Sequence, residues 1–181
     1  ADTVTLDCAG HEVIGVGNAN IGILLEGRTG VTVKNCRVRN FRIGFHLSLS
    51  SGNILEGNAA IDNNEIGFFL KAHSTNNTLT DNIAENNMVG YFLKENSAGN
   101  VLEKNTAVGN TLEGYTIKDS SGNMLTENTS IGIGADTEEV AIGFLIIIYA
   151  HDNILKRNTA RNHRIGFSIN FSNDNTLEKN K

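Results

Sequence analysis

The chain has no proline, only two cysteines and no long apolar run. With no Cys-x-x-Cys and no ligand pair at short spacing, a cysteine metal site is not expected. The densest apolar stretch, residues 141–150, is far shorter than the roughly 20 residues of a membrane-spanning helix and fits a buried strand. Positive charge is not in excess either. Fifteen Lys and Arg stand against 20 Asp and Glu, a net charge of −5, which argues against nucleic acid as the main partner. No stretch sustains a 3.6-residue apolar period, so no helix of any length is expected.

What is present is a repeat. The segment GNILEGN, Gly52 to Asn58, returns as NNTLTDN ending at Asn82, GNVLEKN at Asn105, GNMLTEN at Asn128, DNILKRN at Asn158 and DNTLEKN at Asn180. A weaker copy, GVTVKN, ends at Asn35. The final Asn residues are spaced 23, 24, 23, 23, 30 and 22 residues apart. A fixed period in this range marks a solenoid.

Each copy has a second anchor, an Asn four residues before a strand-opening Gly. The pairs are Asn18–Gly22, Asn40–Gly44, Asn63–Gly67, Asn86–Gly90, Asn110–Gly114 and Asn162–Gly166. The segments after these glycines alternate with period two, which is strand behaviour. They predict one interior column of Phe45, Phe68, Tyr91, Tyr115, Phe144 and Phe167, and another of Leu47, Leu70, Leu93, Ile117, Ile146 and Ile169. Leu55, Leu79, Leu102, Leu125, Leu155 and Leu177 make a third. Ala60, Ala84, Ala107, Ser130 and Ala160 make a fourth, of small residues.

Three short strands per period predict an all-β fold, a right-handed parallel β-helix of about seven coils in one domain over residues 1–181. At the strand spacing of ~4.8 Å the rod would be on the order of 35 Å long. Asn at the corners tolerates left-handed backbone and can bond in register up the stack. The sequence begins Ala-Asp-Thr, as a mature or trimmed product would. It ends a few residues into a new coil, and no capping helix is evident, so a fragment or an end covered by a partner or by the chain itself is expected. Cys8 and Cys36 fall near one corner, a coil apart. Two readings stand for them: a disulfide, which suits an exported protein, or two small buried side chains.

The opening TLDCAGHEVIG, Thr5 to Gly15, with IGILL and GVTVKNCRVRNF after it, resembles the start of many pectin-lyase-like β-helix proteins. The later GNxLxxNxAxxN…GF copies resemble the parallel β-helix repeat family. That group includes the accessory protein of nitrous oxide reductase maturation and the carbohydrate-binding and sugar-hydrolase repeat domains. The resemblance covers nearly the whole chain. It implies an extracellular, cell-surface or periplasmic protein, often one that handles polysaccharides. Among such relatives, lyases hold calcium with several Asp and use an Arg base, and epimerases carry Asp-Pro-His-Asp. A chain without proline lacks that motif as written, and no Asp cluster lies on neighbouring coils beside an outward Arg. Both departures count against catalysis.

The residues outside the repeat's needs point outward. One outward column reads His46, Phe69, Phe92, Thr116, Leu145 and Ser168. The next holds Lys71, Lys94 and Lys118. Rings beside a lysine ladder fit an anionic glycan, or, with Leu145, a docking face for another chain, or a plain stack of rings that the lysines protect from aggregation. A catalytic version would use Lys94 as base, its pKa depressed by neighbouring Lys, with His46 or His73 nearby. The 30-residue spacing places an insertion within residues 132–141, where Asp136, Glu138 and Glu139 offer carboxylates that could hold calcium; a solvated acidic loop is the plainer reading. No other cofactor is expected. Three functions follow: a non-catalytic scaffold or adhesive rod able to assemble end to end with itself, a lyase or epimerase for an acidic polysaccharide, or a glycan-binding module without turnover.

Overall fold

The computed structural model describes residues 2–17, 19–134 and 141–181. Among them every regular element is a strand, and the strands form three parallel sheets. The first sheet stacks eight three-residue strands, from Thr5–Asp7 to Thr176–Glu178. The second stacks seven, from Glu12–Ile14 to Thr159–Arg161. The third stacks seven six-residue strands, from Ile21–Glu26 to Ile165–Asn170. Each coil supplies one strand to each sheet, which is the right-handed β-helix the repeat predicts.

Register follows the columns. Leu79 pairs with Leu55 and Leu102, Ala84 with Ala60 and Ala107, and Tyr91 with Phe68 and Tyr115. The interior rings stack face over face, with centroids 4.6 to 4.9 Å apart from Phe45 to Phe167. Tyr91 and Tyr115 are fully buried, and their hydroxyls donate to the carbonyls of Asn82 and Asn105 at 2.8 and 2.7 Å. Burial pushes both phenols well above their ordinary pKa.

The corners are tied by stacked amides. Asn58 Nδ2 donates to Asn82 Oδ1 at 3.0 Å, and the same oxygen accepts the Asn58 backbone N–H at 2.9 Å. Asn82 Nδ2 in turn donates to the Leu55 carbonyl at 2.8 Å. This pattern continues through Asn105, Asn128, Asn158 and Asn180. A second ladder runs from Asn53 to Asn175, and a shorter third joins Asn63, Asn87 and Asn110. The polar groups of the corners are thus satisfied inside the rod.

The third ladder corrects the sequence alignment. Asn87, not Asn86, is the rung, because only one residue separates Asn87 from the strand at Val89, against two between Asn63 and Ile66. Asn86 sits in the left-handed region at φ 55° and donates instead to Asp62 Oδ1 at 3.2 Å. Asn18, the first of the expected anchors, lies outside the described residues. Cys8 and Cys36 form a disulfide that ties the first coil to the second.

Each strand of the third sheet bends once. Gly67 and Phe68 both face the interior: a Cβ on Gly67 would come within 3.0 Å of Ala84 Cβ, and Phe68 is fully buried. The outward side chains on either side of the bend, Ile66 and Phe69, therefore meet on a concave outer side. With Ile43 and Val89 they form a small apolar cluster separate from the core.

Candidate functional site

The outer face of the third sheet carries the column read from the sequence, but it is not an open aromatic face. Phe69 and Leu145 are each only 8% exposed. The bend folds Ile66 against Phe69, and stacking covers the rest: His46 lies on Phe69 at 5.0 Å between centroids, and Phe92 at 5.5 Å. A sugar ring cannot lie flat on Phe69.

The lysine ladder is also changed by a neighbour. Lys94 Nζ lies 3.0 Å from Glu95 Oε1, and Lys71 Nζ lies 3.7 Å from Glu95 Oε2. Lys94 Nζ also stands 5.9 Å from the centroids of both Phe69 and Phe92, a cation–π position. The hydrogen bond from Lys94, with Lys71 helping, holds the Glu95 carboxyl below its ordinary pKa. Glu95 thus places a carboxylate between the two ammonium groups. Lys118 is exposed, with no ion pair among the described residues.

His46 is not beside Lys94; it lies two coils away in the stack. Both its ring nitrogens are buried without a partner. Desolvation lowers its pKa, Lys71 and Arg42 add to the effect, and Glu26 opposes it. His73 is exposed at a left-handed corner, φ 59°. The structure therefore brings Lys71, Lys94, Phe69 and Phe92 together and leaves His46 two coils from Lys94, while the His73 backbone N–H donates to the Glu95 carbonyl at 2.9 Å. Asp136, Glu138 and Glu139 lie outside the described residues.

Sequence reasoning missed the most open aromatic surface. Tyr149 is 70% exposed and Phe171 84% exposed, one coil apart at the corner that follows the third sheet. Both have left-handed backbone, φ 52°, and Tyr149 N–H donates to the Phe171 carbonyl at 3.0 Å. Tyr149 has a coil on either side of it, so its exposure belongs to the corner itself. With Ile148, His151 and Asn173 the two rings line a surface hollow of about 530 Å³.

The polar edge of this hollow is ordered. His151 Nδ1 accepts from the Asn173 N–H at 2.9 Å, so its proton sits on Nε2, which is left as a donor. Asp152 and Asp174 follow at the next left-handed positions, φ 56° each. Lys118 pairs in register with Ile147, two residues before Tyr149, which sets its ammonium on the neighbouring coil. A second hollow of about 410 Å³ lies beside Gly10, Asn35 and Gly57; its Arg37 already faces Glu12 at 3.7 Å. Rings with a polar rim make the first hollow the better ligand surface.

The family described as periplasmic copper-binding protein (NosD) matches residues 9–181. The chain belongs to the NosD family. That membership places it in the periplasm or outside the cell, where its disulfide is at home. No curated protein matches the chain. An alginate lyase from Paenibacillus sp. str. FPU-7 superposes with TM-score 0.65 at 10% identity, over 93% of this chain and 78% of the lyase. A mutant of the periplasmic alginate epimerase AlgG gives 0.54 at 14% identity, over 85% of this chain and 50% of the epimerase. A DFA-IIIase from Arthrobacter chlorophenolicus A6, in complex with GF2, gives 0.52 at 12% identity, over 92% of this chain and 53% of that one. The chain spans about half the length of the last two. At these identities the likeness is one of fold.

The NosD description names copper, a metal that favours thiolate, thioether and imidazole ligands. The described residues offer no such set of thiolate and imidazole ligands. Both cysteines are in the disulfide, and among the described residues no three of His, Cys, Asp and Glu come together.

Proposed function

We propose that this NosD-family chain is a rigid periplasmic or extracellular module that binds a polysaccharide without cutting it. The observation that carries the reading is Tyr149, 70% exposed with a coil on either side, beside Phe171 on the adjacent coil and above a polar rim. Exposed large rings cost solvent-contact free energy, and a contiguous pair of them marks an interaction surface. A sugar offers such rings its carbon face, and its hydroxyls reach His151 Nε2 and the Asn173 amide. Lys118 supplies a cation for the carboxylate of an acidic sugar. Supporting the choice of ligand, two of the fold neighbours are named for alginate and the third is in complex with GF2.

Binding without turnover is preferred because Lys94, the expected base, is held by Glu95 and by two rings. Affinity electrophoresis through gels containing alginate or a neutral glucan tests the reading. The wild-type chain should be retarded, and Tyr149→Ala and Phe171→Ala should each run freely. Equal mobility of wild type and both variants in every gel would refute it, and shortening of the polymer during the run would refute the absence of turnover.

A further inference from the structure

On the concave outer side of the third sheet, every coil but one carries an aliphatic side chain at the first of its two places. The paired positions are Ile43 with His46, Ile66 with Phe69, Val89 with Phe92, and Ile142 with Leu145. In strand Glu113–Lys118 the pair is Glu113 with Thr116, and among the described residues only this coil puts polar side chains at both places. Thr116 is 5% exposed, and its Oγ1 is buried with no hydrogen-bond partner. Glu113 is half-buried, with no ion pair or hydrogen bond to its carboxyl among the described residues. A buried hydroxyl without a partner is costly and uncommon, and it calls for an explanation.

We propose that Glu113 and Thr116 form a second sugar-binding site, where the carboxyl group and the buried hydroxyl take hydroxyls of one ring set beside the partly exposed Phe92. Burial raises the Glu113 carboxyl above its ordinary pKa, which fits a group set in apolar surroundings and able to donate as well as accept. The site rests on the glycan reading and deepens it. Glu113 and Lys118 are five residues apart on one strand, about 17 Å at the strand rise. The Tyr149 corner lies just beyond Lys118 on the next coil. The ligand is then an oligosaccharide laid along the strands, with Lys118 between the two ends, and a single sugar fills only one of them.

Calorimetric titration with alginate and cello-oligosaccharides of two and six units tests this. Thr116→Val and Glu113→Gln should each weaken binding of the better six-unit ligand about tenfold, the worth of a hydrogen bond to a charged or buried partner. Neither should change binding of the two-unit ligand at the Tyr149 corner. Unchanged six-unit binding in both variants, with binding lost in Tyr149→Ala, would overturn the second site and leave the first. No binding of either series to the wild-type chain would overturn both. Stability gives a readout free of ligand: the double variant Glu113→Ile, Thr116→Leu restores the apolar pair and should melt at a higher temperature. A lower melting temperature would show that the two side chains serve the fold and would overturn the proposal.

Discussion

A single amide decides more here than a single ring. Asn105 Oδ1 accepts two bonds from Asn82, while its Nδ2 donates to Asn128 and to the Leu79 carbonyl. Asn105→Ala would strand several buried groups at once, a cost of about 3 kcal/mol or more at ~1–3 kcal/mol per unsatisfied group. Asn86→Ala, at an exposed left-handed corner, should cost only about 1 kcal/mol, the strain of alanine at that backbone angle. Urea unfolding of the two variants separates rung from corner. His46 brings a pH dependence. Its folded pKa lies below the unfolded value, so the stability it gives is whole above about pH 6.5 and is lost as pH falls through that value toward the folded one. His163, bonded to Ser130 Oγ, is lowered by burial and acts in the same direction. The carboxylates of Asp7, Glu95 and Glu178 are lowered, and their contribution is lost only further down, below about pH 4. His46→Phe should therefore lose less stability than wild type between about pH 7.5 and pH 5, as read by melting temperature. Residue chemistry was legible where it repeats. The rungs at Asn58, Asn82 and Asn105 recur in sequence as they do in space. Asn86 misled, as Asn40 and Asn162 did, because the corner before the strand is a residue shorter on those coils, which a count back from the glycine does not reveal.

At the scale of the element, the bent six-residue strand sets what is open. Period two placed Phe69 outward, and it is outward. Its low exposure comes from Gly67 and Phe68 both turning inward, a break in the alternation that a strict period does not show. The bend needs glycine: a Cβ at Gly90 would come within 2.6 Å of the Gly114 carbonyl oxygen. Gly90→Ala should destabilise by about 1–3 kcal/mol, the usual cost of overpacking, and a chemical-denaturation midpoint checks it. The end of the strand misled the reading in the other direction. Residues 141–150 look like one buried run, yet the strand stops at Ile147, and left-handed backbone at Ile148 and Tyr149 turns the tyrosine out to solvent. An aromatic two residues past a strand end, where other coils carry His73 or Asn96, was the available signal.

The whole molecule is a stack in which each coil contacts its neighbours, so damage stays local. The disulfide joins residues 28 apart and should contribute about 3.5 kcal/mol to the first two coils on a loop-entropy estimate. Reduction should speed amide exchange at Thr5–Asp7 and Glu12–Ile14 while leaving Val101–Glu103 protected, as hydrogen exchange would show. The rod and its exported setting were readable from period and motif. The exposed aromatic corner was not, because it depends on which coil ends turn outward. That corner also offers the most direct test. The chain has no tryptophan and three tyrosines, and Tyr91 and Tyr115 are at most 1% exposed while Tyr149 is 70% exposed. Quenching of tyrosine fluorescence by iodide therefore reports on Tyr149. Saturating oligosaccharide should protect the wild-type signal, and Tyr149→Phe should abolish the quenchable fraction. Quenching that is unchanged by alginate and glucan oligosaccharides alike would contradict the account.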